Sequence, residues 1–199
     1  MNRSFTRSTM LRAALLAVTV TVTGCSANYT TGNSSPVLFL IADINGGMPL
    51  KSDVLTNGTV VSDSAAVGIA VRFKNPNVAT IPSVPSAVIV DHYEVRYRRS
   101  DGRGVEGQDV PFTISGLVTS VIDVASSGLT TLNIEVVRAQ AKLEPPLRNL
   151  RGVTSDTLGG ALVITMFAEI TIYGKTISGT PVTATGNLQI DFADYGSST

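Results

Sequence analysis

Three features of this 199-residue chain could carry chemistry: a single cysteine, a single histidine and one concentration of charge. The thiol is Cys25, the imidazole is His92, and the charges are Glu94, Arg96, Arg98, Arg99, Asp101, Arg103 and Glu106. A lone cysteine has no partner for an internal disulfide, and one cysteine with one histidine is too few for a zinc site. A Ser-His-Asp set built on His92 would need a nucleophile elbow such as Gly-x-Ser-x-Gly, and no such motif occurs. The phosphate-cradling pattern Gly-x-x-x-x-Gly-Lys-Ser/Thr is also missing. His92 therefore reads as an exposed strand residue. The chain is expected to be no enzyme and to need neither metal nor cofactor.

Cys25 is informative through what precedes it. Arg3, Arg7 and Arg12 are followed by an apolar run over 13–22 and then by Val22-Thr23-Gly24-Cys25. A basic start, an apolar middle and a small-residue end are the three parts of a secretory signal. The apolar part is too short to span a bilayer as a helix. The last four residues resemble the lipobox of bacterial lipoproteins. That resemblance implies cleavage before Cys25 and a thioether from its sulfur to diacylglycerol. Each buried methylene contributes about 0.8 kcal/mol, so two or three acyl chains hold a protein on a membrane stably. Ser26 stands where inner-membrane lipoproteins of enteric-type bacteria often carry Asp, so the resemblance favours the outer membrane, facing the periplasm or the surface. The expected division is a signal over 1–24, a lipidated tether over 25–36 and one β domain over 37–195. The tether, rich in Ser, Asn, Thr and Gly, is read as flexible.

Composition supports strands over helices. Val, Thr, Ile, Ser and Gly are abundant, charged residues make up 15%, and tryptophan is absent. Three of the 15 basic residues precede Cys25, which leaves 12 against 15 acidic ones in the rest of the chain. Such a balance argues against nucleic acid as a partner, which requires a clustered basic surface.

Period-two alternation and turn dipeptides place strands over 37–41, 65–73, 88–99, 110–114, 117–124, 130–137, 161–173 and 183–192. In 88–99, Ile89, Asp91, Tyr93, Val95 and Tyr97 fall on one face, and His92, Glu94, Arg96 and Arg98 on the other. In 161–173 the inner face is Leu162, Ile164, Met166, Ala168, Ile170 and Ile172. Asp43-Ile44-Asn45-Gly46-Gly47 reads as a turn, because the remaining ligands of a calcium loop are missing. Asn57-Gly58 and Ser178-Gly179 are hairpin signals. Prolines over 81–85 suggest a loop, and 146–150 can form one helical turn. About eight strands with little helix predict an all-β fold, an antiparallel immunoglobulin-like β-sandwich, with a small closed barrel as the alternative.

Two family resemblances arise from these residues. Phe73-Lys74-Asn75-Pro76-Asn77, Tyr93-Glu94-Val95 and Val110-Pro111-Phe112 resemble the water-stress WHy/LEA14-type β-sandwich family, which implies a sandwich and a non-enzymatic role. Leu50-Lys51-Ser52-Asp53-Val54, Tyr97-Arg98-Arg99-Ser100-Asp101-Gly102-Arg103 and Lys142-Leu143-Glu144-Pro145-Pro146-Leu147 resemble a family of uncharacterised bacterial lipoproteins. So do Tyr173-Gly174-Lys175, Thr185-Gly186-Asn187 and Phe192-Ala193-Asp194-Tyr195. That second resemblance implies fold and location and carries no activity.

The charge concentration supports two readings. Arg96, Arg98, Arg99 and Arg103 can receive an acidic partner or a phosphate. The favoured reading of the same residues is a solvated sheet face with cross-strand ion pairs, which contribute little individually. Taken together, the sequence predicts a lipid-anchored binding or structural module of the cell envelope. Its partners would be a membrane, through Cys25, and a protein. A carrier of a small apolar or lipidic ligand is the alternative.

Overall fold

The computed structural model describes residues 35–75, 87–124, 128–152 and 162–196. Cys25, the proline-rich stretch 81–85, Pro76-Asn77 and Gly159-Gly160 lie outside the described residues. Eight strands follow in chain order: β1 (Val37–Ile44), β2 (Leu50–Asp53), β3 (Asp63–Phe73), β4 (Ala87–Arg99), β5 (Ile114–Asp123), β6 (Thr130–Val137), β7 (Ile164–Thr176) and β8 (Pro181–Ala193). A single α-helical turn, α1 (Ala139–Lys142), and 3₁₀ turns at Asn45–Gly47 and Leu147–Leu150 complete the described elements.

The strands form two sheets, ordered β1-β3-β6 and β2-β8-β7-β4-β5. The chain is thus the all-β sandwich that the strand pattern predicts. Alternation explains the core directly. Met166, Ala168, Ile170 and Ile172 of β7 are fully buried, as are Ile190 and Phe192 of β8. Leu132, Ile134 and Val136 of β6 meet them from the other sheet's side of the core. Asn57-Gly58 makes the predicted two-residue turn, with positive φ at both positions and Thr56 and Thr59 exchanging two 2.9 Å hydrogen bonds.

Four features depart from the sequence pattern. First, β2 is a strand that the sequence pattern does not assign. It lies parallel to β8, so the five-stranded sheet is mixed rather than purely antiparallel. Second, 110–114 is not a strand of its own. Val110 makes an isolated bridge to Glu106, and β5 begins only at Ile114, because Pro111 has no donor for a ladder. Third, α1 has no counterpart in the pattern. Fourth, β4 changes phase in its middle. Its register against both β5 and β7 slips between Val90 and His92. Val88 and Val90 point inward before the slip, and Tyr93, Val95 and Tyr97 do so after it. Ile89 and Asp91 therefore do not share a face with Tyr93, because a bulge inserts one residue and reverses the alternation. Leu162, expected on the inner face, precedes β7 and is half exposed.

Two tyrosines of β4 cross the interior to the edge of the opposite sheet. The Tyr97 hydroxyl donates to the Val136 carbonyl at 2.6 Å, and the Glu135 backbone N–H donates to the Tyr93 hydroxyl at 3.2 Å. These bonds satisfy backbone groups of β6, which is an edge strand. Tyr93 passes over Gly116 of β5 on its way. A Cβ at Gly116 would lie 2.3 Å from Tyr93 Cζ.

Gly116→Ala should therefore displace Tyr93 and destabilise the fold by about 1–3 kcal/mol, as overpacked cores do. Urea denaturation measures this directly, and an unchanged midpoint would refute the close-approach account. Burial also holds the Tyr97 hydroxyl well above the ordinary tyrosine range. The unfolded state then releases a proton that the folded state keeps, so stability should fall as pH rises above about 10. Tyr97→Phe should flatten that alkaline limb in denaturation curves, while costing about 1 kcal/mol at neutral pH for the lost hydrogen bond.

Candidate functional site

The expected charged surface is the outer face of β4, where the bulge has already set the phase. Glu94, Arg96 and Arg98 point outward together, as alternation after the bulge requires. Arg96 Nε donates to Glu94 Oε1 at 2.8 Å, and the Tyr173 hydroxyl donates to Glu94 Oε2 at 3.2 Å. The hydrogen bond from Arg96, helped by that from Tyr173, holds the Glu94 carboxyl below the usual carboxylate range. The Tyr173 ring stacks on His92, with centroids 4.4 Å apart and planes within 5°. His92 Nδ1 lies 2.5 Å from Asp91 Oδ1.

Arg99 and Arg103 are spent on the turn that ends β4. Both guanidinium groups meet Asp101, at 3.0 and 3.5 Å, and the Arg99 backbone N–H donates to the Arg103 carbonyl at 3.0 Å. The ion pairs of this region thus run along one strand and within one turn, not across strands as the sequence pattern suggests. Arg98 differs from the other three. It is exposed and makes no ion pair among the described residues. A shallow cavity of about 130 Å³ lies between Arg96, Arg98, Phe167, Glu169 and Asn187. The face brings together this exposed cation, the Glu94 carboxylate, the Tyr173 hydroxyl and the His92 ring.

Two further features were missed by the sequence reading. A cavity of about 260 Å³ opens beside α1, lined by Pro111, Phe112, Ile114, Arg138, Ala141 and Glu144 among others. Phe112 is 58% exposed at its rim. Its assignment to a strand hid this, although an aromatic directly after a proline is a visible cue. The second is Lys142, whose side chain is 1% exposed. Its Nζ lies 2.8 Å from Asp63 Oδ2 and donates to the Asp53 carbonyl at 2.8 Å. Ser52 donates to the same Asp63 oxygen at 2.5 Å. Nothing local marks Lys142 for burial, because its partners come from β2 and β3. No group of three or more His, Cys, Asp or Glu side chains that could hold a metal ion occurs among the described residues. No described helix is long and apolar enough to cross a membrane.

Lys142→Met should lower stability by roughly 3 kcal/mol, because it strips the main counter-charge from a largely buried carboxylate. Pairing it with Asp63→Asn should recover part of the loss. Equal midpoints for Lys142→Met and the unaltered chain in guanidinium denaturation would show that the ion pair is dispensable.

No family model matches the chain, and no curated protein matches it. Among solved structures it is similar to a late embryogenesis abundant (LEA) protein determined in solution. The two are 11% identical, the match covers 81% of this chain and 74% of that one, and the TM-score is 0.41.

Proposed function

We propose that this chain is a non-enzymatic, lipid-anchored protein of the cell envelope. On this reading it is held at the outer membrane by acyl chains on Cys25 and serves as a binding or structural module. The observation that carries the reading is Val22-Thr23-Gly24-Cys25 at the end of a basic-then-apolar leader, with no second cysteine to give the thiol another role. The charge balance after Cys25 supports a protein or lipid partner over nucleic acid. The segments that resemble uncharacterised bacterial lipoproteins agree with this location. Arg98, exposed and without an ion pair among the described residues, supports an acidic group on a protein partner as the contact made by the β4 face.

The second reading, a carrier of a small apolar or lipidic ligand, draws on the Phe112 cavity. The space between the sheets is filled by Met166, Ile170, Ile172, Ile190 and Phe192, all fully buried. A carried ligand would therefore sit in the open cavity beside α1, not between the sheets.

Mass spectrometry of the Cys25 peptide from native membranes should show the diacylglyceryl adduct, and an unmodified thiol there would overturn the anchor. Crosslinking in the same membranes, followed by identification of bound proteins, should capture a partner that Arg98→Glu loses while the thermal midpoint stays unchanged. A partner captured equally by both proteins would remove the β4 face from the reading.

A further inference from the structure

Each sheet leaves two strands at its edges, β1 and β6 in one and β2 and β5 in the other. A free edge is a row of unpaired backbone groups, and folded proteins blunt such rows. Three of these edges are blunted. Tyr97 and Tyr93 bond the backbone of Val136 and Glu135 on β6. Arg138 donates to the Ser115 carbonyl of β5, whose register against β4 slips. β2 is four residues long and carries an exposed lysine, Lys51. By contrast, β1 begins with Val37-Leu38-Phe39-Leu40-Ile41, which holds no charge, proline or bulge. Its inner face is held in place. Val37 and Phe39 are buried, and a Cβ on Gly186 of β8 would lie 2.8 Å from Ile44 Cδ1.

Hydrogen bonds show which backbone groups of β1 face away from β3. The Lys74 N–H, just past β3, donates to the Pro36 carbonyl at 3.0 Å. Backbone groups alternate in direction along an antiparallel strand. Those of residues 38 and 40 therefore also face β3, and those of 37, 39 and 41 face the free edge. Val37 is satisfied there by its neighbour, because Ser35 Oγ accepts from the Val37 N–H at 3.2 Å and donates to the Val37 carbonyl at 3.1 Å. Phe39 and Ile41 make no such bond among the described residues. Beyond them a bulge at Ala42 and the Asp43 carboxylate end the regular edge. Leu38 and Leu40 stand beside these open groups on the outer face, 41% and 42% exposed.

We infer that β1 pairs antiparallel with β1 of a second copy of this chain, about a two-fold axis at Leu40. The edge is complementary to itself, because its two open residues lie on either side of Leu40. In this register Phe39 of each copy exchanges both backbone hydrogen bonds with Ile41 of the other. The open groups are then satisfied, and Val37 keeps its bonds to Ser35. Leu40 faces Leu40 at a non-hydrogen-bonded position, where Cα atoms approach to about 4.5 Å. Asp43 falls opposite Val37, so no carboxylate meets its own copy. A register centred on Phe39 would turn Val37 toward Ile41 and compete with Ser35. The contact is isologous and closes at two copies, because among the described residues each chain has one such edge. The two three-stranded sheets become one continuous sheet. A strand pair this short buries less than the roughly 1,000 Å² of a stable interface. The dimer is therefore weak in solution and gains from confinement on a membrane. The pairing itself does not rest on the lipid anchor proposed above.

Leu38 and Leu40 are almost equally exposed, so thiols placed there meet by chance equally often but pair differently. Leu40→Cys sits opposite its own copy, within reach of a disulfide. Leu38→Cys lies about 13 Å along the strand from its copy. Each variant is expressed as the full chain and oxidised in native membranes, and the unaltered protein sets the background from Cys25. Leu40→Cys should give disulfide-linked dimers several-fold above Leu38→Cys and above Leu117→Cys, a site on β5 that is 91% exposed. Equal yields at the three sites would overturn the pairing. So would a Leu40→Cys yield at background, which is the result expected if another segment or protein covers this edge. In the unaltered protein, amide hydrogen exchange over 39–41 should slow as protein concentration rises, and exchange that ignores concentration would count equally against the dimer. If Cys25 proves unmodified, the same oxidation of the concentrated protein in solution still decides. Thermal midpoints of the three variants establish that each is folded.

Discussion

A buried ammonium joins the two sheets at one end of the sandwich. Lys142 Nζ reaches the Asp53 carbonyl on the five-stranded sheet and the Asp63 carboxylate on the three-stranded one. A charge taken out of water is costly unless it is paired and hydrogen-bonded, so this position specifies its partners closely. Its bond to the Asp53 carbonyl ties α1 to β2, the parallel strand at the edge of an otherwise antiparallel sheet. The segment after β6 is held down by the same group of residues. Arg151 donates to the Lys142 carbonyl at 2.7 Å, and the Gly152 N–H donates to Asp194 at 2.7 Å. Asp53 accepts from the backbone N–H groups of Leu55 and Tyr195.

The polar crosslinks at that end throw the other end into relief. The far end is closed by ion pairs and hydrogen bonds between segments distant in sequence. At the other end residues 177–180 close the β7–β8 hairpin, with the Gly179 N–H donating to the Thr176 carbonyl at 2.8 Å. A molecule built this way has an axis, and the chain enters along it. The outer β4 face lies along the flank of that axis, and Arg98 stands exposed on it.

Edge protection is shared between the sheets. Tyr93 and Tyr97 carry hydroxyls from β4 across to β6, and Arg138 Nη2 donates to the Ser115 carbonyl of β5 at 3.0 Å. The register slip between β4 and β5 further distorts the second free edge. These features make pairing of an added strand less favourable at β5 and β6.

Much of this was legible in the residues. The strands over 130–137 and 183–192, the hairpin at Ser178-Gly179, the turn at Asn57-Gly58 and the all-β class follow from alternation and turn chemistry. Those signals act over a few residues and survive without tertiary context. The grouping of Glu94, Arg96 and Arg98 on one face was legible for the same reason. The bulge that reverses β4 was not, because a slip of register is chosen by the strands on either side. Nor was the burial of Lys142, whose bond to Asp53 spans 89 positions. The sequence by itself determined the strand class and the turn positions, both of which are local. Only the tertiary structure decided which arginine of the β4 face lacks an ion pair among the described residues, which lysine is buried and where the bulge in β4 falls. Each of those depends on side chains brought together from far apart in the chain.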